Sequence, residues 1–295
     1  MKPIIFLLLV VCTALADEVN FSKLLASKPE PGATQTTSLY SFAYIPAGEF
    51  KMGSPASEVG RGEDENQVGV TISSPFLMST TEVTQGMWKD IMGTSIAELI
   101  ETKKGAIGRG AKLVNKVSAE GPLHPMCYVS YEDALEFCAK LTEELMEVGV
   151  LSDGYKVTLP TEAQWEYASR AGTSNIFSSG DTFTEKDGCF YAPLPYGVEE
   201  KGIYLERTQE VKSYAPNAWG LYDMNGNMYE WCLDWYTEKL AGGKDPAEMV
   251  NGDSRNIRGG TWNRKGSSSR NAYRYSYDPT QRTNNIGFRV IIVGE

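Results

Sequence analysis

Between Thr173 and Pro216 the chain is rich in Gly, Ser, Tyr and Pro and carries no helical period, which restricts the folds open to it. Irregular stretches of that length are uncommon in a compact domain unless something holds them, and a bound metal is one candidate. The densest part follows directly. In Asn217-Ala-Trp219-Gly-Leu-Tyr222-Asp223-Met-Asn225-Gly226-Asn227-Met-Tyr229-Glu230-Trp231, four bulky aromatics bracket a polar Asp-x-Asn-Gly-Asn turn.

Helical signals lie upstream of this region. Thr84 precedes Met87, Trp88, Ile91 and Met92 at helical spacing, and Gly93 stops them. Ser130, with Asp133 three residues on, opens a longer helix with Ala134, Leu135, Cys138, Leu141, Leu145 and Val148 on one face, ended by Gly149. Thr161 with Gln164 opens a third over residues 162–171, supported by a Glu166–Arg170 pair and capped by Gly172.

Strand patterns complete the outline. Alternating apolar and small residues from Phe42 to Gly53 predict a β-hairpin around Gly48, Ser57 to Gln67 a charged loop, and Val68–Ile72 and Phe76–Met78 further strands. Gly259-Gly260 ahead of Trp262 predicts a tight turn under an indole, and Gly287-Phe-Arg-Val-Ile-Ile-Val a closing strand. Residues 17–41, broken by Pro29, Pro31 and Gly32, read as a linker, which leaves 42–295 as one α+β domain.

Lys2, the apolar run Ile4 to Val11 and Ala14-Leu15-Ala16 read as a signal peptide over residues 1–16. A second reading makes Cys12 the lipid-modified first residue of a lipoprotein. The protein is thus expected to be secreted or on the cell surface, with membrane attachment only through a lipid on Cys12. Without Cys12, four cysteines remain (Cys127, Cys138, Cys189, Cys232), either as two disulfides or as buried thiols. The single His124 leaves no room for a His-rich iron or zinc centre.

Net charge is −10, but from Arg255 to Val290 eight basic residues face Asp278 alone. Arg270, Arg274 and Arg289 are expected to pair with carboxylates of the acidic body. That body would repel a phosphate backbone, so nucleic acid is not an expected partner. Asp223, Asn225, Gly226, Asn227 and Glu230 set oxygens around a Gly-containing turn, which suits either Ca²⁺ or a plain Asx-rich turn.

Six ordered motifs carry a resemblance. Ile45-Pro-Ala-Gly-Glu-Phe-Lys-Met-Gly53, Glu82-Val-Thr-Gln85, His124-Pro125 with Val129-Ser-Tyr-Glu-Asp-Ala134, Leu159-Pro-Thr-Glu-Ala-Gln-Trp-Glu-Tyr-Ala168, the Asn217–Trp231 run, and Arg258-Gly-Gly-Thr-Trp262 with Gly287-Phe-Arg-Val290 resemble the formylglycine-generating enzyme (sulfatase-modifying factor) domain family. The resemblance covers residues 42–293 and implies a compact variant of the C-type lectin fold. It also implies structural calcium at Asp223, Gly226, Met228 and Glu230, with carboxylates from the first and last and main-chain oxygens from the middle two.

Enzymes of that family oxidise a substrate cysteine with copper held by two C-terminal thiolates. Those positions fall on Arg264 and Ser269, and no Cys follows Cys232, so neither copper nor oxidase activity is expected. The segment between the Gly-Gly-Thr-Trp turn and the last strand is made instead of Tyr, Ser, Asn and Arg, the residues of recognition surfaces. It is similar to the variable proteins of diversity-generating retroelements, which share the lectin-like fold.

The reading is therefore a non-catalytic binder of a protein or glycan. Its candidate contact residues are Trp262, Asn263, Arg264, Lys265, Ser267, Ser268, Ser269, Asn271, Tyr273, Tyr275, Ser276, Tyr277, Asp278, Thr280, Gln281 and Thr283. Trp262 is equally placed to be a buried pillar. The alternative is a formylglycine-generating or related oxidoreductase that modifies sulfatases.

Overall fold

The computed structural model describes residues 19–37, 39–102, 119–250 and 252–294. Both readings of the N-terminus, the signal peptide over residues 1–16 and the lipid on Cys12, lie outside the described residues.

The chain enters through helix α1 (Phe21–Ser27), whose first turn is capped by the Asn20 side chain accepting the Lys23 N–H. Strand β1 (Thr34–Thr36) then pairs antiparallel with β2 (Ser41–Ile45). The described residues of the linker expected over 17–41 from its Pro and Gly content thus carry a helix and a paired strand. Phe21, Leu24 and Leu25 sit at i, i+3, i+4 spacing and turn one helix face into the core, where Phe21 is 0% exposed and meets Phe42 edge-on at 4.9 Å. Seven residues of helix were too short a period to stand out beside the breakers that follow.

Next come β3 (Gly48–Met52), β4 (Val68–Ile72), β5 (Phe76–Ser79), α2 (Gln85–Met92), α3 (Ile96–Thr102), α4 (Tyr131–Glu147), β6 (Tyr155–Thr158) and α5 (Glu162–Arg170). After α5 the regular elements are short strands: β7 (Tyr229–Trp235), β8 (Gly243–Lys244), β9 (Arg255–Arg258), β10 (Tyr275–Tyr277), β11 (Ile286–Gly287) and β12 (Ile291–Gly294). A 3₁₀ turn at Gly266–Ser269 interrupts them. The three expected N-caps are formed. Thr84, Ser130 and Thr161 accept the N–H of Met87, Asp133 and Gln164 at 3.2, 3.1 and 3.1 Å. Helix α5 closes on Ala171 in the left-handed region, one residue ahead of the expected Gly172.

Three sheets result, ordered β1-β2-β5-β12-β6, β10-β9-β7-β11 and β3-β4-β8. The expected hairpin around Gly48 is not formed, because β2 and β3 belong to different sheets. Their burial differs accordingly: four of the five β2 residues are buried, on both faces, whereas β3 alternates towards solvent. Pro46-Ala47 carries the chain from one sheet to the other.

Strand β12 is the second strand from one end of the five-stranded sheet, bonded to β5 (Ile291 opposite Met78) and β6 (Ile292 opposite Val157). The two faces of this sheet serve different cores. Phe42, Leu77 and Ile292 join Trp88, Phe137, Trp231 and Phe288 on one side, while Ile45, Met78 and Ile291 join Trp165, Tyr167 and Trp219 on the other. Period-two side-chain alternation therefore explains the unbroken apolar runs in β5 and β12. A third, smaller cluster holds the irregular region after Thr173: Phe177 and Phe183 stack at 4.7 Å, Phe190 tilts onto Phe183 at 4.7 Å, and Tyr196 closes the set. Aromatic packing holds this region together.

Candidate functional site

Strand β9 ends in Arg258-Gly259-Gly260, and both glycines take positive φ, 98° and 78°. A Cβ on Gly260 would lie 2.7 Å from Ser269 Cα and 2.8 Å from the Ser268 carbonyl oxygen, so only glycine lets the chain fold back on its own 3₁₀ turn. This drives Trp262 inward. It is 3% exposed, its ring lies parallel to Tyr204 with centroids 6.1 Å apart, and its Nε1 donates to the Asn284 carbonyl at 3.3 Å. Trp262 is a pillar under the segment and not a contact on it.

Most of the segment's positive charge is also inside. Arg258 reaches Glu166 at 2.5 Å and the Asn271 carbonyl at 2.7 Å. Arg270 is bidentate to Glu65 at 2.7 and 2.8 Å and also meets Glu58. Arg274 is bidentate to Glu162 at 2.8 and 2.9 Å, Arg282 bonds Asp133 at 2.7 Å, and Arg289 is bidentate to Glu230 at 2.7 Å. The expected pairing of Arg270, Arg274 and Arg289 with body carboxylates is thus formed. Burial acts first to raise the Glu166 carboxyl, but Arg170 and Arg258 outweigh it and leave it below the usual range. For Asp133, too, burial raises and the Arg282 hydrogen bond lowers, with a net downward shift.

Arg255 lies against the rings of Trp235 and Tyr131, at 3.6 and 4.2 Å from their centroids. Of the eight basic residues, Arg264 and Lys265 are the exposed ones.

The predicted contact residues separate accordingly. Ser268, Ser269 and Asn271 are buried with Trp262; the Ser269 carbonyl and the Asn271 side chain are used internally, while the Ser269 hydroxyl has no hydrogen-bond partner. Asn225 Nδ2 donates to the Ser269 carbonyl at 2.7 Å and to Asn271 Oδ1 at 3.0 Å, and Ser169 Oγ donates to Asn271 Oδ1 at 2.8 Å. These four do not form surface, because the Gly-Gly turn that frames the segment also tucks its first half under the fold. Asn263, Ser267, Tyr273, Ser276, Tyr277, Gln281 and Thr283 are half-buried, and Arg264, Lys265, Tyr275, Asp278 and Thr280 are exposed.

The exposed set centres on β10, which pairs with β9 at the sheet edge. Tyr275, 38% exposed, lies parallel to Tyr229 (5.9 Å) and to Tyr273 (6.5 Å), and the Arg264 guanidinium sits over its ring at 6.0 Å. Beside it opens a groove of about 660 Å³ lined by Tyr275 and Ser276 together with Glu63, Asp64, Tyr236 and Glu238. Sequence reasoning missed these four. Glu63 and Asp64 fall in a charged loop without periodicity, and only tertiary folding brings them to Tyr275.

The implied metal positions behave differently. Gly226 is required where it stands, since a Cβ would meet the Cys189 carbonyl oxygen at 2.5 Å. Glu230, however, accepts from Arg289 with both oxygens and from Trp165 Nε1 at 2.6 Å. Asp223 accepts the Lys212 N–H through Oδ2, and its Oδ1 has no partner. Of the two carboxylates implied as calcium ligands, only Asp223 keeps a free oxygen, so the donor set does not fit that calcium site. Nor do any three His, Cys, Asp or Glu side chains gather as a metal cluster among the described residues. The nearby Glu82 is fully buried, and burial first, then the charges of Asp223 and Glu230, hold its carboxyl well above the usual range.

At the positions corresponding to copper thiolates stand Arg264, exposed, and Ser269, 0% exposed. Cys127, Cys138, Cys189 and Cys232 are buried thiols, not two disulfides. Burial pushes the Cys189 thiol up to about 12 and raises Cys138 and Cys232 as well, so these three are not poised as thiolates.

Comparison with known proteins supplies the setting. The sulfatase-modifying factor enzyme 1-like domain matches residues 27–293. The formylglycine-generating enzyme of Streptomyces coelicolor is 28% identical, over 90% of this chain and 93% of its own. Among solved structures, PvdO from Pseudomonas aeruginosa (27% identity, TM-score 0.68, 90% of this chain and 99% of that one) and Treponema denticola variable protein 1 (25%, 0.68, 89% and 99%) share the architecture. With its α+β, C-type lectin-like architecture and motifs in that order, the chain belongs to the sulfatase-modifying factor enzyme 1-like domain family.

Proposed function

We propose that this protein is a non-catalytic ligand-binding member of its family, which displays a variable-type recognition face on the C-terminal segment. The observation that carries the reading is the division within that segment. Its anchoring residues are locked inward by arginine–carboxylate pairs and the Gly-Gly turn, while Arg264, Lys265, Tyr275, Asp278 and Thr280 are exposed, Ser276 and Tyr277 are half-buried, and Tyr275 and Ser276 line a groove. Aromatic area on a rigid strand, with short polar side chains around it, suits recognition at low entropic cost. Arg264 and Ser269 cannot replace thiolates as ligands for soft copper. In this reading the protein is exported and its ligand is a protein or glycan.

Replacing Tyr273, Tyr275 and Tyr277 by alanine tests it. The expected outcome is loss of capture of an extracellular ligand with an unchanged melting curve, and retained capture would overturn the surface. The enzymatic alternative is tested by incubation with copper and a cysteine-containing sulfatase peptide, where aldehyde product would replace the binding reading with an oxidase.

A further inference from the structure

The groove beside Tyr275 continues into a narrower crevice of about 130 Å³, bounded by Trp235, Leu240 and Ala247 and reaching Asp234 and Asn256. Asn256 is 1% exposed, and its Nδ2 donates to the Trp235 carbonyl at 3.1 Å, yet its Oδ1 has no hydrogen-bond partner. A buried acceptor left unpaired is costly, so the crevice favours an occupant that donates. Asp234 adds a second acceptor: its two oxygens receive the backbone N–H groups of Glu162 and Glu248, and among the described residues it forms no salt bridge.

The approach has the same sign. Glu63, Asp64 and Glu238 line the groove, and Arg274, which also lines it, is neutralised by its bidentate pair with Glu162. An anionic ligand would meet three carboxylates on the way in, and an apolar side chain would leave Asn256 Oδ1 unpaired. In a crevice of about 130 Å³ an ammonium, a compact donor on a slender apolar stem, is seated more readily than the broader planar guanidinium.

Resting on the ligand-binding reading above, we infer that the groove and crevice accept a lysine side chain from a basic segment of a protein partner. The stem lies between Trp235 and Leu240, and the ammonium reaches Asn256 Oδ1 and Asp234. Lys239, which lines both groove and crevice, is the residue that such a ligand displaces or is repelled by.

The test titrates the full-length protein with a capped peptide containing four lysines, read by calorimetry and by the change in tryptophan fluorescence that Trp235→Phe should abolish. Controls are the same peptide with its lysines acetylated and its arginine counterpart. Expected are binding of the lysine peptide, no binding of the acetylated one, and an affinity about tenfold or more weaker for arginine. Glu63→Lys combined with Glu238→Lys, both at exposed positions, should weaken binding by about tenfold or more and reduce its salt dependence. Lys239→Ser should tighten it.

Equal affinity for lysine and acetyl-lysine, equal affinity for lysine and arginine, or indifference to the charge reversal would each overturn the lysine site. Loss of the lysine site would leave the tyrosine face to its own capture test. Aldehyde formation on a cysteine peptide would overturn the binding reading independently of the titration.

Discussion

The arginines of the C-terminal segment differ by what surrounds them. Arg270 is 0% exposed and held by Glu65 and Glu58, so Arg270→Ala strands two carboxylates and is expected to cost about 3–5 kcal/mol in urea unfolding. Arg264→Ala, at the surface beside Tyr275, should stay within about 0.5 kcal/mol while weakening ligand capture. Equal destabilisation by the two would contradict the assignment.

Titration separates residues of opposite sign. Asp133 and Glu166 have depressed folded values, so the stability they contribute is present above the unfolded carboxyl range and is lost as pH falls through their folded values. Asp234 is raised to about 7, by burial first and then by Glu162, so its contribution is complete below the unfolded value and disappears as pH rises towards 7. Melting temperature followed across pH should therefore fall on the acid side through the arginine partners. It should also decline between about pH 4 and 7 through Asp234, a slope that Asp234→Asn should reduce. The acid limb was implicit in the sequence, which placed arginines opposite an acidic body. The Asp234 limb was not, since nothing local marks one Asp as the buried one.

At the scale of elements, α1 and β12 make opposite points. Strand β12 was legible because Val290-Ile-Ile-Val follows Gly-Phe-Arg without a breaker, although its burial on both faces by two cores was not. Helix α1 was illegible because Phe21, Leu24 and Leu25 span too few turns to show a period beside Pro29 and Pro31. Phe21→Ala should cost about 3–5 kcal/mol as a core truncation, whereas a linker residue would cost almost nothing. Equilibrium unfolding of that variant distinguishes the two. The hairpin expected at Gly48 failed for a related reason: alternation identifies strands but does not name the sheet each joins.

For the whole molecule, calcium gives the sharpest comparison. Glu230 is committed to Arg289 and Trp165, and saturating Ca²⁺ or a chelator should leave the melting temperature unchanged within about 1 °C, whereas ligand at a hundredfold its Kd would add about 2.7 kcal/mol. A rise of several degrees would free Glu230 from that role. By itself, the sequence determined the elements with strong local signals: the three capped helices, the apolar strands, the Gly-Gly turn beneath Trp262, and the loss of thiolates at positions 264 and 269. Each of these follows from neighbours within a few residues or from the identity of one side chain. Only the tertiary structure decided which residues of the last segment face water, which carboxylate takes which arginine, and that Glu63 and Glu238 line one groove with Ser276. Those outcomes depend on contacts between distant segments, set by how the two cores close around one sheet, and residue order alone does not encode them locally.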